Sequence, residues 1–271
     1  MSENLNEQSL DKLCASLAFA MGIEVPECAA ESVPELDAYI EKSFAGKKAD
    51  RVFMYNPDAI GEWIYRKYPH LLEEAIKRTE LEIPFCTVMP SKTPVCFATM
   101  YTGAQPCVHG IKKYERPVIK IDTLFDALIR SGKKPVIIAE KNSSMSIIYL
   151  ERKMDYFIYD TIEEVNAKAV EVILEDKYDF VVVYNGNYDD MMHRVSPEGI
   201  EALAELKANS AAFGIFSALI EKYWTSHNSL VGFATDHGCH ENDGKCGGHG
   251  SDMCEDLNIV HLYKTYPAEE M

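Results

Sequence analysis

From Asp50 onward the sequence alternates short apolar runs with helix-forming stretches, and this alternation restricts the chain to few folds. Arg51–Asn56 (RVFMYN), Pro135–Glu140 (PVIIAE), Asp179–Tyr184 (DFVVVY), Ser229–Thr235 and Asn258–Tyr263 each read as a strand. A shorter strand pair is expected at 145–149 and 156–159. Between them, Pro90–Tyr101 passes from a loop into a helix, and Asp122–Ser131 is a helix closed by Gly132. Ile162–Glu175 is helical, and Pro197–Trp224 holds one long helix or two. Strands that are apolar throughout must be covered on both faces, and parallel strands need crossover connections. The expected fold is therefore α/β with a largely parallel sheet. Ahead of it, Leu10, Leu13, Leu17 and Ala20 recur at helical spacing, and Val33–Phe44 is a second amphipathic stretch. Residues 1–47 read as a helical N-terminal extension whose expected role is packing or dimerisation, and 48–271 as the catalytic domain.

Charge narrows the partners. Forty-three acidic against 27 basic residues give a formal charge of −16. Nucleic acid and anionic membranes both demand a cationic face, so neither is expected as a partner. No apolar run approaches the roughly 20 residues that span a bilayer. The N-terminus MSENLNEQSLDKL carries neither a basic leader nor an apolar core, so a cytoplasmic location is expected. The eight cysteines are then read as thiols in a reducing compartment. Were the substrate a phosphate, the bulk field would repel it unless divalent cations reversed the sign locally.

In an open α/β sheet, ligands sit beyond the carboxyl ends of the strands. Pro57-Asp58 follows RVFMYN, and NGNYDDMMH follows DFVVVY, with Asp189 and His193 four residues apart. Asp236-His237-Gly238 follows the strand at 229–235, and a glycine-rich loop then brings His249. Singly, an Asp after a strand is more often a helix cap, and Asp189 with His193 could be a solvated helix pair. Together, three strand ends deliver Asp or Asp and His to one rim of the sheet. Carboxylate oxygen and imidazole nitrogen are the ligand set for zinc, manganese or iron, and the absence of cysteine suits a catalytic site.

The segment Met89–Gly103 (MPSKTPVCFATMYTG) resembles the nucleophile segment of the alkaline phosphatase superfamily, in particular its nucleotide pyrophosphatase/phosphodiesterase branch. There a Ser or Thr followed by Pro opens a helix, an apolar run leads to Thr-Gly, and His-Gly-Ile follows; here these are Thr93-Pro94, Thr102-Gly103 and His109-Gly110-Ile111. The resemblance covers about residues 50–265, with the motifs in the family's order. It implies a three-layer sandwich, two divalent metal ions (zinc foremost, manganese or iron as alternatives), and Thr93 as both nucleophile and metal ligand. Asp58, Asp236 and His237 would hold one ion, and Asp189, His193 and His249 the other. The implied activity is hydrolysis of a small-molecule phosphate ester through a phosphothreonine intermediate.

Diesterase members place an Asn three residues after His-Gly-Ile, where this chain has Tyr114 beside Lys112 and Lys113. Tyr114 and Lys112 are therefore the candidate substrate-binding residues, and Lys113 and Arg116 could add charge for a monoester. Diester or pyrophosphate hydrolysis is placed ahead of monoester hydrolysis, with phosphomutase and phosphonate hydrolase as alternatives. The short stretch from Ile111 to Asp179 leaves room only for a small cap. A rival from another class is a non-catalytic zinc module, since Cys239, His240, Cys246, His249 and Cys254 fall within sixteen residues. A homo-oligomer is compatible with all of these readings.

Overall fold

Successive side chains of a strand face opposite ways, and in this chain helices cover both sets. The computed structural model describes residues 4–269; the first three residues of the 1–47 extension and the last two of the 48–271 domain lie outside it. The strands are β1 (Gln8–Ser9), β2 (Arg51–Pro57), β3 (Leu81–Cys86), β4 (Pro135–Glu140), β5 (Asp155–Tyr159), β6 (Phe180–Asn185), β7 (Ser229–Ala234), β8 (His240–Asn242), β9 (Cys246–Gly248) and β10 (Asn258–Tyr266). Eight of them form one sheet in the order β1-β3-β10-β7-β2-β6-β4-β5, while β8 and β9 make a separate hairpin. Only β10 runs against its neighbours in the large sheet.

One face of the sheet carries α1 (Leu13–Met21), α2 (Pro34–Ser43), α5 (Thr93–Thr102) and α7 (Leu124–Arg130). The other carries α3 (Glu62–Lys67), α4 (Glu73–Lys77), α8 (Ile162–Glu175), α9 (Asn187–Val195) and α10 (Ile200–Tyr223). Two short helices, α6 (Pro106–His109) and α11 (Cys254–Leu257), complete the connections. Alternation divides each central strand between the two cores. Val52 and Met54 of β2 and Val182 and Tyr184 of β6 face the first, whereas Phe53, Tyr55, Val181 and Val183 face the second. The result is a three-layer α/β sandwich with a mainly parallel sheet, as the alternation of elements requires.

Two features depart from the sequence expectations, and one open alternative is resolved. Residues 145–149 are not a strand but a run of turns, with the Ile147 and Ile148 N–H groups both donating to the Ser144 carbonyl. Met145, Ile148 and Tyr149 are buried at helical rather than alternating spacing. Pro197–Trp224 resolves into a single helix, α10. That helix is long and apolar enough to cross a membrane, although half of its apolar window is buried within the protein. The additional strand β3 was hidden by Pro84, which normally excludes a central position. It is tolerated because β1 pairs only with Phe85 and Cys86, leaving Pro84 on an open edge.

Candidate active site

The three central strands β7, β2 and β6 are adjacent and parallel, so their carboxyl ends lie side by side. Asp58 leaves β2, Asp236 and His237 leave β7, and Asp189 and His193 lie on α9, which follows β6. At the rim, Ala59 adopts a left-handed φ of 63° and turns its N–H onto Asp236 Oδ1 at 3.3 Å. A β-carbon disfavours that conformation, so the turn holds local strain next to Asp58.

Across the rim, α5 starts at Thr93 with Pro94 in its first turn, where the missing N–H costs nothing. Gly103 caps its far end at φ 69°, donating to the Thr99 carbonyl. The conformation and the 2.5 Å that would separate an added Cβ from Ala29 both account for the glycine of Thr-Gly. His109 is a structural residue: it accepts from the Ile111 N–H at Nδ1 (3.2 Å) and bonds Thr99 Oγ1 through Nε2 (3.0 Å). Burial pushes its pKa down to about 4.

These elements bring Thr93, Asp58, Asp189, His193, Asp236, His237 and His249 together. Thr93 Oγ1 lies 3.3 Å from His237 Nε2, which is also 3.3 Å from Asp58 Oδ1 and 3.4 Å from Asp236 Oδ2. Asp189 Oδ1 lies 3.4 Å from both His193 Nε2 and His249 Nε2, which are 3.1 Å apart. The His237 and His249 rings stack at 4.1 Å.

The imidazoles share one arrangement. His193 Nδ1 bonds the Gly247 carbonyl (3.0 Å), His237 Nδ1 the Gly238 carbonyl (2.9 Å) and His249 Nδ1 the Ser91 carbonyl (2.7 Å). A carbonyl can only accept, so each Nδ1 carries the hydrogen and each Nε2 turns a lone pair inward. Burial drives the pKa of His237 well below the usual range and that of His249 down to about 3, which keeps both neutral. The neighbouring carboxylates move the other way: burial raises Asp58, Asp189 and Asp236, and the Asp58 charge raises the other two further.

Asp58 Oδ1, Asp189 Oδ1 and Asp236 Oδ2 are buried without a hydrogen-bond partner among the described residues. Buried polar atoms are almost always partnered, and unpaired buried carboxylates are costly. Three orphaned carboxylate oxygens facing inward lone pairs lack only a cation. The residues present therefore fit metal ions. The ligand atoms of Asp189, His193 and His249 lie within 4.8 Å of one another, as do those of Asp58, Asp189 and His237.

Two glycines permit this closeness. An added Cβ on Gly238 would meet the Glu255 carbonyl oxygen at 1.9 Å, and one on Gly247 would meet Met192 Sδ at 2.3 Å. Gly247 thus lets the loop bearing His249 lie against α9, where His193 reaches its carbonyl.

The cysteine-rich cluster does not assemble. Cys239 is buried against the Tyr188 hydroxyl, and both nitrogens of His240 are taken, by Asp256 (2.7 Å) and Asn242 (3.1 Å). Among the described residues, the two ligand groups are built from Asp and His alone. Among the described residues, no cysteine joins a ligand group of the kind the zinc-module alternative requires.

A cleft of about 190 Å³ opens over Thr93, Asp58 and Asp189. Tyr114 lines it, whereas Lys112 is exposed outside its lining. Lys113 pairs with Glu115 at 3.4 Å, and Arg116 donates to the Asn142 carbonyl. Sequence reasoning missed three neighbours. Tyr184, at the end of β6, donates to Asp58 Oδ2 at 2.5 Å. Lys92, beside Thr93, donates to the His249 carbonyl. Glu140, the last residue of β4, and the segment that follows it to Ser144 form one wall of the cleft. The strand-end rule points to this last segment, but KNSS carries no ligand-type side chain that would mark it.

No family model matches the chain, and no curated protein sequence matches it. Solved structures do. Murine ectonucleotide pyrophosphatase/phosphodiesterase 5, in an inactive form in complex with AMP, is similar at a TM-score of 0.57 and 17% identity, over 71% of this chain and 58% of that one. The human form of that protein gives 0.62 at 13% identity, over 81% and 90%. Phosphonoacetate hydrolase from Sinorhizobium meliloti, in complex with phosphonoacetate, gives 0.52 at 16%, over 73% and 60%. The chain thus spans under three fifths of the murine structure's length. All three neighbours have the alkaline phosphatase-like α/β architecture.

Proposed function

Taking as premise that the chain has the alkaline phosphatase-like fold of these neighbours, we propose that it is a two-metal hydrolase of small phosphate esters with Thr93 as nucleophile. The observation that carries this reading is the trio of buried, unpartnered carboxylate oxygens opposite three inward-facing imidazole nitrogens, beside the Thr93 hydroxyl. Asp58, Asp236 and His237 would hold one ion, and Asp189, His193 and His249 the other, with zinc the ion best suited to this mixed oxygen and nitrogen set. Bound dications would lower the pKa of a nearby hydroxyl and neutralise charge on the transferring phosphoryl group.

The chain's own residues supply the rest. Thr93 stands at the N-terminus of a ten-residue helix, whose dipole favours an arriving phosphoryl group. Its Oγ attacks phosphorus in line, the leaving group departs from the opposite side, and water then cleaves the phosphothreonine. Tyr184 fixes the Asp58 carboxylate, and the Lys92 ammonium steadies the loop that carries His249. Tyr114 can offer one hydrogen bond from the cleft mouth, where the diesterases have an amide. The cleft is smaller than the ~300–1,000 Å³ of ordinary ligand pockets, which favours a small ester over an extended nucleotide. Phosphonate hydrolysis is the second reading, because one structural neighbour is a phosphonoacetate hydrolase.

The test is turnover of 4-nitrophenyl phosphate, its methyl diester and phosphonoacetate by zinc-loaded protein, with Thr93→Ala alongside. Hydrolysis lost in Thr93→Ala while zinc is retained supports the proposal. Full activity in that variant would mean that water attacks phosphorus directly.

A further inference from the structure

Tyr114 reaches the cleft from a span of chain that is attached at few points. Its two ends are anchored at Ile111 and Ile119, both buried. The Ile111 N–H donates to His109 Nδ1 at 3.2 Å, and the Ile119 N–H to the Ile148 carbonyl at 2.8 Å. Between these anchors, residues 112–118 are exposed or half-buried. The Glu115 N–H donates to the Lys113 carbonyl at 2.7 Å, and the Lys113 ammonium pairs with the Glu115 carboxylate. The Arg116 guanidinium lies 5.8 Å from the centre of the Tyr114 ring. All of these contacts are internal to the span. Among the described residues, one hydrogen bond ties 112–118 to the rest of the chain, from Arg116 to the Asn142 carbonyl.

That bond joins the two sides of the cleft, because Tyr114 and Asn142 both line it beside Thr93 and Asp58. Asn142 holds a left-handed φ of 64° there, a conformation asparagine tolerates better than most residues. The Tyr114 phenol sits between Arg116 and the site's carboxylates. Burial raises its pKa, the Arg116 charge opposes that rise, and the charges of Asp58, Asp189 and Asp190 add to it. A surface segment with few contacts opens at little cost in free energy. A hydrogen bond from a guanidinium is among the stronger single contacts that can keep it closed.

We propose that residues 112–118 are a strap latched by Arg116, which holds Tyr114 over the cleft and excludes esters whose phosphorus bears a bulky second group. Tyr114 is the residue that meets the substrate, and Arg116 is the positioning residue behind it. This rests on the phosphoesterase reading above and narrows its substrate class. The cleft of about 190 Å³ is that of the latched strap.

Two diesters with the same leaving group test it on the zinc-loaded full chain: methyl 4-nitrophenyl phosphate and thymidine 5′-(4-nitrophenyl phosphate). The wild type should favour the methyl ester by about tenfold or more in kcat/KM. In Arg116→Ala the preference should fall to about threefold or less, through a lower KM for the thymidine ester. Arg116→Lys, which can still donate to the carbonyl, should restore it. Trypsin reads the strap without reference to activity, since Lys112 and Lys113 are exposed on it. Cleavage follows the open population when opening is fast, so cutting after these lysines should be about tenfold faster in Arg116→Ala. An unchanged cutting rate, or an unchanged preference between the esters, would overturn the proposal. Turnover of 4-nitrophenyl phosphate on the same samples reads the phosphoesterase assignment separately. Turnover without a shift in preference would retain that assignment and reject the strap's role in specificity.

Discussion

Replacing Gly238 with Ala tests whether the Asp236-His237-Gly238 turn is held by steric necessity. An added Cβ would stand 1.9 Å from the Glu255 carbonyl oxygen and 2.9 Å from Gly61 Cα, whereas real Cβ contacts essentially never fall below 3.0 Å. Both obstacles are backbone, so no side chain can rotate away, and the turn must shift by about 1 Å. Metal sites tolerate ligand displacements of only ~0.2 Å, so His237 would leave its position. Overpacking of this kind costs about 1–3 kcal/mol, and the backbone location puts Gly238→Ala at the upper end. For a domain of this size that corresponds to a fall in Tm of roughly 5–10 °C. Zinc affinity, measured by chelator competition, should fall about 100-fold or more, at or beyond the usual loss for disturbing the groups that orient metal ligands. Gly214→Ala is the control: its Cβ would meet the Glu74 Cβ at 3.1 Å inside α10, where about 0.5–1 kcal/mol of helix propensity offsets the tight contact. Wild-type Tm and zinc affinity in Gly238→Ala would refute the argument.

Other perturbations have defined outcomes. Tyr184→Phe removes a 2.5 Å hydrogen bond to Asp58; zinc affinity should drop about 10–100-fold in chelator competition, with the fold intact by circular dichroism. Asp236→Asn should lose zinc and turnover together, while Thr93→Ala should lose turnover alone, as elemental analysis and phosphate release would show. Saturating zinc at 100 times its Kd should raise the stability of the wild type by about 2.7 kcal/mol in urea unfolding, and that of Asp236→Asn by much less. His261 is buried and neutral, donating to the Thr235 carbonyl and facing the Tyr263 hydroxyl, and burial pushes its pKa from 6.5 down to about 4. The unfolded chain therefore binds the proton more tightly. Stability present above pH 6.5 is lost as pH falls towards 4, by roughly 3 kcal/mol. The advantage of the wild type over His261→Gln in urea midpoints should shrink across that window.

The parallel core was legible because buried strands such as β4 and β6 are apolar up to their last residue, which few other elements are. The positions of Asp58, Asp189 and Asp236 followed from the strand-end rule before any distance was known. What could not be read depends on contacts between segments remote in sequence. Nothing in DFVVVY distinguishes a core tyrosine from one whose hydroxyl reaches Asp58, 126 residues away. The edge that tolerates Pro84 exists only because a two-residue strand near the N-terminus stops short of it. The Cys/His cluster from 239 to 254 resembled a zinc module because spacing along the chain was all that could be judged. In the fold, Cys239 packs against the Tyr188 hydroxyl, His240 pairs with Asp256, and His249 faces Asp189 and His193.

The central claim is that the Asp/His cluster binds two ions on which attack by Thr93 depends. Stripping the protein with chelator, titrating zinc back and following 4-nitrophenyl phosphate hydrolysis on the same sample tests it most directly. Activity should be absent from the stripped protein and should plateau at two ions per chain. Hydrolysis that persists without metal, or a chain that binds no zinc, would contradict the account.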